Sequence, residues 1–155
     1  MGQYHAVVNW EKKEYIMPHN IGLGLKQGEQ IGNIHASMGD ILFLLLAISN
    51  GRGGGDVPTD NIEHLLGRWA GDRVFVVGDY TQRGDISIEG LNEEDLWEQL
   101  GSKESEWKDI SEEINKMILL LWGIKVAGDG WKDREIVSYE SYLGPWNKPA
   151  MSMGD

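Results

Sequence analysis

One segment constrains this chain more than any other: SMGDILFLLLAISNG, residues 37–51. Ser37 stands where an N-cap would stand, and Asp40 follows three positions on, a pattern close to a capping box. Residues 41–48 are then apolar without interruption. A helix that is apolar on every side has no face to offer water, so the segment predicts a helix buried at the centre of the fold. Asn50 and Gly51 supply its stop. The run is far too short to cross a bilayer, so it predicts a core element and not a membrane span.

The rest of the chain predicts what such a helix packs against. In QYHAVVNW, residues 3–10, Tyr4, Ala6, Val8 and Trp10 alternate with His5, Val7 and Asn9, the period of a strand. EKKE and then YIMP follow, which predicts a β-hairpin of residues 3–10 against 14–17. No Asn-Gly pair is present for a two-residue turn, so a four-residue loop is expected, and Pro18 should end the second strand or lie at its edge. Residues 19–36 are glycine-rich and weakly patterned, a loop by expectation. TDNIEHLLG (59–67) predicts a short helix, and RVFVVGDY (73–80) a strand. The continuous apolar centre of that strand, 74–77, suggests burial on both faces. DISIE (85–89) suggests another short strand. Asn92 and Gly101 bracket a short helix, and Ser105 is expected to cap a longer one ending at Gly123. That helix would carry Trp107, Ile110, Ile114, Met117, Ile118 and Leu121 on its apolar stripe. REIVSYESY (134–142) reads as a last strand.

With no internal repeat or linker, the expected architecture is one α+β domain over residues 1–143. It has a mainly antiparallel sheet with an N-terminal hairpin, packed against a buried central helix and an acidic amphipathic helix. Residues 144–155 lack periodicity and are expected to be a mobile tail.

The formal net charge of the 155 residues is −11. Its distribution is uneven: residues 89–113 hold ten acids against Lys103 and Lys108. Eight of these acids, Glu93, Glu94, Asp95, Glu98, Glu106, Asp109, Glu112 and Glu113, are candidate partner-binding residues, a surface for a basic groove. The plain alternative is a solvated face. At long range such a charge repels nucleic acid and anionic membranes, so neither is an expected partner. The chain has no cysteine, which excludes disulfides and thiolate sites and is compatible with a reducing cytoplasm. No signal peptide is expected, and Ala6 stands where a myristoylation signal calls for Ser or Thr.

Arginine is concentrated where lysine is absent. Residues 51–85 contain Arg52, Arg68, Arg73 and Arg83 and no lysine, and they share eight glycines. The planar fork of arginine suits phosphate and carboxylate, and Trp69 and Tyr80 offer stacking faces. A pocket for a small anionic or nucleotide-like ligand is one reading, with Arg52, Gly53, Gly54, Asp56, Arg68, Trp69, Asp72, Arg73, Asp79 and Tyr80 as candidate contacts. The other is internal pairing between the arginines and the five aspartates of the same segment. The glycines of NGRGGGD follow the C-terminal end of the predicted helix, where the dipole is negative, so a phosphate cradle of the Walker type is not expected. No cofactor or metal is expected. Asp72 and Asp79 flank one strand, ~20 Å apart, and cannot share an ion. An EF-hand starting at Asp79 fails at Arg83 and at Gly90, its fifth and twelfth positions. The four histidines form no zinc motif, and no G-x-S-x-G elbow occurs. Trp131 and Trp146 lie in irregular segments, where aromatic residues can anchor an interface.

Three patches together, MGQYHAVVNWEKKEYIMP, NGRGGGD and GRWAGDRVFVVGDY, resemble a group of small proteins from bacteriophages and bacterial genomes that carry no assigned activity. The resemblance covers about residues 1–85 and departs at His5 and at Trp10-Glu11. It implies a phage-type accessory or counter-defence protein that binds and inhibits or sequesters a host factor in the host cytoplasm. The charge partition and the absence of a complete catalytic motif make the expectation a non-catalytic binding protein that acts on a host factor or a small anionic ligand. One alternative is a metal-dependent phosphate-ester hydrolase using Asp56, Asp72 or Asp79. Another is a small structural protein, for which homo-oligomers are possible.

Overall fold

The computed structural model describes residues 3–24, 27–31, 35–50, 52–53, 57–128 and 132–143. The period-two alternation of the N-terminus becomes β1 (His5–Asn9), which pairs antiparallel with β2 (Glu14–Ile16). Asn9 lies opposite Glu14, so Trp10 to Lys13 form the four-residue loop that the sequence predicts. A 3-10 helix, Pro18–Ile21, follows, with proline in its first turn. Next come α1 (Gln27–Ile31) and α2 (Met38–Leu46). β3 (Val74–Gly78) pairs antiparallel with the free side of β1. α3 (Glu93–Leu100) leads to β4 (Lys108–Asp109), which joins β2 in parallel, giving the order β3-β1-β2-β4. α4 (Ser111–Trp122) and an antiparallel hairpin of β5 (Ile124–Ala127) and β6 (Asp133–Ile136) complete the chain's described elements. This is the expected α+β fold with mostly antiparallel pairing.

Both faces of the four-stranded sheet are covered, because β1 and β3 present apolar residues on each. On one face Val7 and Ile16 pack with Ile41 and Leu45 of α2, Trp69, and Ile114, Met117 and Ile118 of α4. On the other, Ala6, Val8, Tyr15 and Val77 pack with Leu96 and Leu100 of α3 and with Trp107. The sheet thus separates α2 and α4 from α3.

Several expectations are corrected. The capping box of α2 is formed as predicted, Ser37 Oγ accepting from Asp40 N–H and Asp40 accepting from Ser37 N–H. Its burial is not: Ile41, Leu44 and Leu45 are buried, whereas Phe43 and Ile48 are 74% and 75% exposed. The helix lies on one side of the core, and it stops at Leu46, before Asn50. Residues 59–67 form successive turns with i to i+3 bonds and no helix, because Asn61 and Gly67 take positive φ. β3 is an edge strand with Val76 half exposed, not a strand buried on both faces. Residues 85–89 form no strand. The long helix starts at Ser111, not near Ser105, because Lys108 and Ile110 donate their N–H groups to the carbonyls of Lys13 and Tyr15. The last strand ends at Ile136, and the expected loop at 19–36 holds the 3-10 helix and α1. The expected mobile tail, 144–155, lies outside the described residues. Among those residues no helix is long and apolar enough to cross a membrane.

Candidate functional site

The turns between α2 and β3 dock on the sheet through one carboxylate. Glu14, on β2, is 4% exposed. Its Oε2 accepts from Arg68 Nη2 at 2.6 Å and its Oε1 from Arg68 Nε at 2.9 Å. Oε1 also accepts from the indole N–H of Trp69 at 2.9 Å. Burial alone would raise the Glu14 carboxyl, but the guanidinium and the indole outweigh it and hold it below its ordinary value. Glu14 in turn raises Arg68. Trp69, a candidate stacking face, is wholly buried in the main core.

The neighbouring charges are also paired with the hairpin. Arg73 bonds Glu11 through its side chain at 2.9 Å and through its backbone N–H. This pairing holds the Glu11 carboxyl below its ordinary value. Asp72 accepts from Lys12 Nζ at 2.7 Å and from Asn9 Nδ2 at 2.9 Å, and these donors lower it. Internal pairing therefore holds for Arg68 and Arg73, but with glutamates of the hairpin and not with aspartates of their own segment. That partnership was not legible in the sequence, since Glu11 and Glu14 lie more than 50 residues away.

The remaining candidates do not join them. Asp79 accepts from Tyr4 N–H and pins the start of β1. Tyr80 is exposed. Arg52 lines a separate cavity of about 370 Å³ with Asn50, Thr59, Glu63 and Leu66. Gly53 is described and has positive φ, whereas Gly54 and Asp56 lie outside the described residues. Asp72 and Asp79, proposed as metal ligands in the hydrolase alternative, are held by Lys12, Asn9 and Tyr4. No metal-competent group of three acids or histidines occurs among the described residues. Trp131 and Trp146 also lie outside them.

The acidic segment is divided. Glu94, Asp95, Glu98 and Glu106 are exposed on the α3 side and make no ion pair among the described residues. Asp109 caps Ser111 and accepts from Asn20, and Glu113 pairs with His64 at 3.1 Å. Glu112 and Glu113 belong to α4, beyond the sheet from α3. Glu93, the first residue of α3, is 4% exposed, yet no described group bonds its carboxylate. It lines a cavity of about 380 Å³ with Gln3, His5, the β3 residues Phe75 to Gly78, Thr81, Asp85 and Ile86.

One residue that sequence reasoning passed over organises the other end of the molecule. Arg134, on β6, donates to the carbonyls of Ile21, His35 and Ala36 at 2.8 to 2.9 Å. Burial lowers its pKa to about 10. Its stem passes so close to Gly22 that an added Cβ there would lie 2.5 Å from Cγ. The available signal was its isolation: it is the one arginine outside 51–85.

No family model matches the chain, and no curated protein or solved structure matches it. The fold class is α+β, and any functional reading rests on the geometry above.

Proposed function

We propose that this is a non-catalytic binding protein whose partner presents a basic surface. One observation carries the reading. Of the cations that could have served an anionic ligand, Arg68, Arg73 and Lys12 are each engaged by an internal carboxylate, while Glu94, Asp95 and Glu98 of α3 make no ion pair with any described residue. Unpaired acids on one face steer a cationic partner and set its orientation. In the phage setting that the N-terminal resemblance implies, the partner is a host protein inhibited or sequestered by being bound.

The test uses polylysine as a basic probe, titrated calorimetrically at low and high salt. Binding should weaken steeply as the salt rises, because screening shortens the reach of exposed charges. The single variant Glu98→Lys should weaken it severalfold, and Glu112→Lys, which changes the net charge equally but lies beyond the sheet, should retain it. Equal losses from both faces would show a response to net charge alone and would end the reading.

A further inference from the structure

The unpaired edge of β3 borders the cavity that holds Glu93, and the two together define a site. Antiparallel pairing fixes which backbone groups face outward. Trp10 N–H bonds the Arg73 carbonyl, and Asp79 N–H bonds the Tyr4 carbonyl, so 73, 75, 77 and 79 turn toward β1. Val74, Val76 and Gly78 turn away from it. Gly78 is closed off locally: its N–H donates to Thr81 Oγ1 and its carbonyl accepts from Thr81 N–H. The outward groups of Val74 and Val76 bond nothing among the described residues. An edge of this kind normally carries a charge, a proline or a bulge against strand addition. VFVVG has none, and Val76 is 50% exposed.

The adjoining wall is acidic. Glu93 is 4% exposed and no described group bonds its carboxylate, so a donor entering the cavity meets an acceptor that is not already taken. Asp85 lines the same cavity, and His5 has a buried Nδ1 with no partner among the described residues. Buried polar atoms are nearly always satisfied, so the unpartnered His5 Nδ1 beside a carboxylate that no described group bonds marks the cavity as a place for a ligand.

We propose that β3 accepts an extended peptide as an added strand, with a lysine or arginine of that peptide entering the cavity toward Glu93 and Asp85. The ladder bonds come from Val74 and Val76. Alternate side chains of the added strand point to opposite faces, so a basic residue in the cavity is followed by an apolar one over Val76. A second copy of this chain is disfavoured as the occupant, since β3 to β3 pairing would bring two acidic walls and two net charges of −11 together. The inference rests on the reading of a basic partner and gives that partner a chemistry and a seat.

A capped heptapeptide alternating valine and lysine is the probe, with the glutamate-for-lysine peptide and lysine amide as controls. The readouts are amide hydrogen exchange at Val74 and Val76 and a titrated Kd. The valine–lysine peptide should slow exchange at Val76 about tenfold or more, and neither control should. Glu93→Gln should weaken the peptide about tenfold. Asp85→Asn, on an exposed turn, provides a second variant that leaves α3 untouched and should weaken it less. Unchanged exchange at Val76 with saturating peptide, or equal affinity for Glu93→Gln and Asp85→Asn, overturns the proposal. So does protection of Val76 that grows with protein concentration alone, which would identify a second copy. Polylysine binding that persists without protection of Val76 removes this site but leaves the broader reading standing. Loss of both removes the reading itself.

Discussion

Glu14 is where the chemistry of single residues matters most. A buried carboxylate is tolerable only when its lone pairs are filled, and here a bidentate guanidinium and an indole N–H fill them. An amide in its place keeps one acceptor oxygen but loses the charge and sets an NH2 donor against the donors of Arg68 or Trp69. Glu14→Gln is expected to destabilise by ~3 kcal/mol, the low end for breaking such a pair, because the Arg68 side chain is 36% exposed and can turn to water. Urea denaturation should show it as a lower midpoint with an unchanged slope. Arg134 makes a parallel case with neutral acceptors. Three carbonyls from two separate segments, the end of the 3-10 helix and residues 35–36, converge on one planar fork, which an ammonium cannot match. Arg134→Lys should cost ~2 kcal/mol, as at least one carbonyl is orphaned. A thermal melt within the error of wild type would show that the fork is dispensable.

At the scale of elements, what the sequence made legible and what it hid have physical causes. The hairpin, its loop length and the capping box of α2 were legible because each depends on residues within about four positions of one another. The end of α2 was not, because its last carbonyls are satisfied from far along the chain. Gly67 N–H donates to Leu44 C=O and Trp69 N–H to Leu45 C=O, both at 2.9 Å. This docking needs the 59–71 segment to turn rather than coil, and the apolar residues there, spaced as in a helix, gave no sign of it. The edge position of β3 was hidden for a similar reason: VFVVG reads as buried, but pairing on one side only is a property of the sheet order. Of the candidate site, the arginine cluster was visible as composition, whereas its neutralisation by Glu11 and Glu14 was a tertiary fact. Gly67 concentrates the constraint. Its φ is +74°, and an added Cβ would lie 2.8 Å from the Ala47 carbonyl oxygen. Gly67→Ala should therefore destabilise by at least the ~1–2 kcal/mol of a left-handed backbone, with the contact adding to it. Hydrogen exchange should then accelerate first at the amides of Gly67's neighbours Arg68 and Trp69; if they exchange as in wild type, the docking does not hold the end of α2.

Across the whole molecule, two electrostatic effects act in opposite directions with pH. The carboxyls of Glu14, Asp72, Glu11 and Glu113 all lie below their ordinary values in the folded chain. A group depressed in this way contributes stability that is complete above its unfolded value, 4.5 for glutamate, and is lost as the pH falls through its folded value. The net charge of −11 does the reverse: repulsion within 89–113 opposes folding at neutral pH and fades as the acids protonate. The exposed pairs contribute little each, so screening of that repulsion should dominate the response to salt near neutrality. Added sodium chloride is therefore expected to raise the melting temperature at pH 7 and to lose this effect below pH ~4, where the acids protonate. Acid unfolding should then be governed by the local pairs, Glu14 foremost because it alone is buried. In Glu14→Gln the acid limb of the stability curve should flatten, while the salt response at pH 7 stays as in wild type. An acid limb equally steep in both proteins would place the proton-linked stability elsewhere, in Asp72 or Glu113, and the corresponding Asp72→Asn and Glu113→Gln curves would show which.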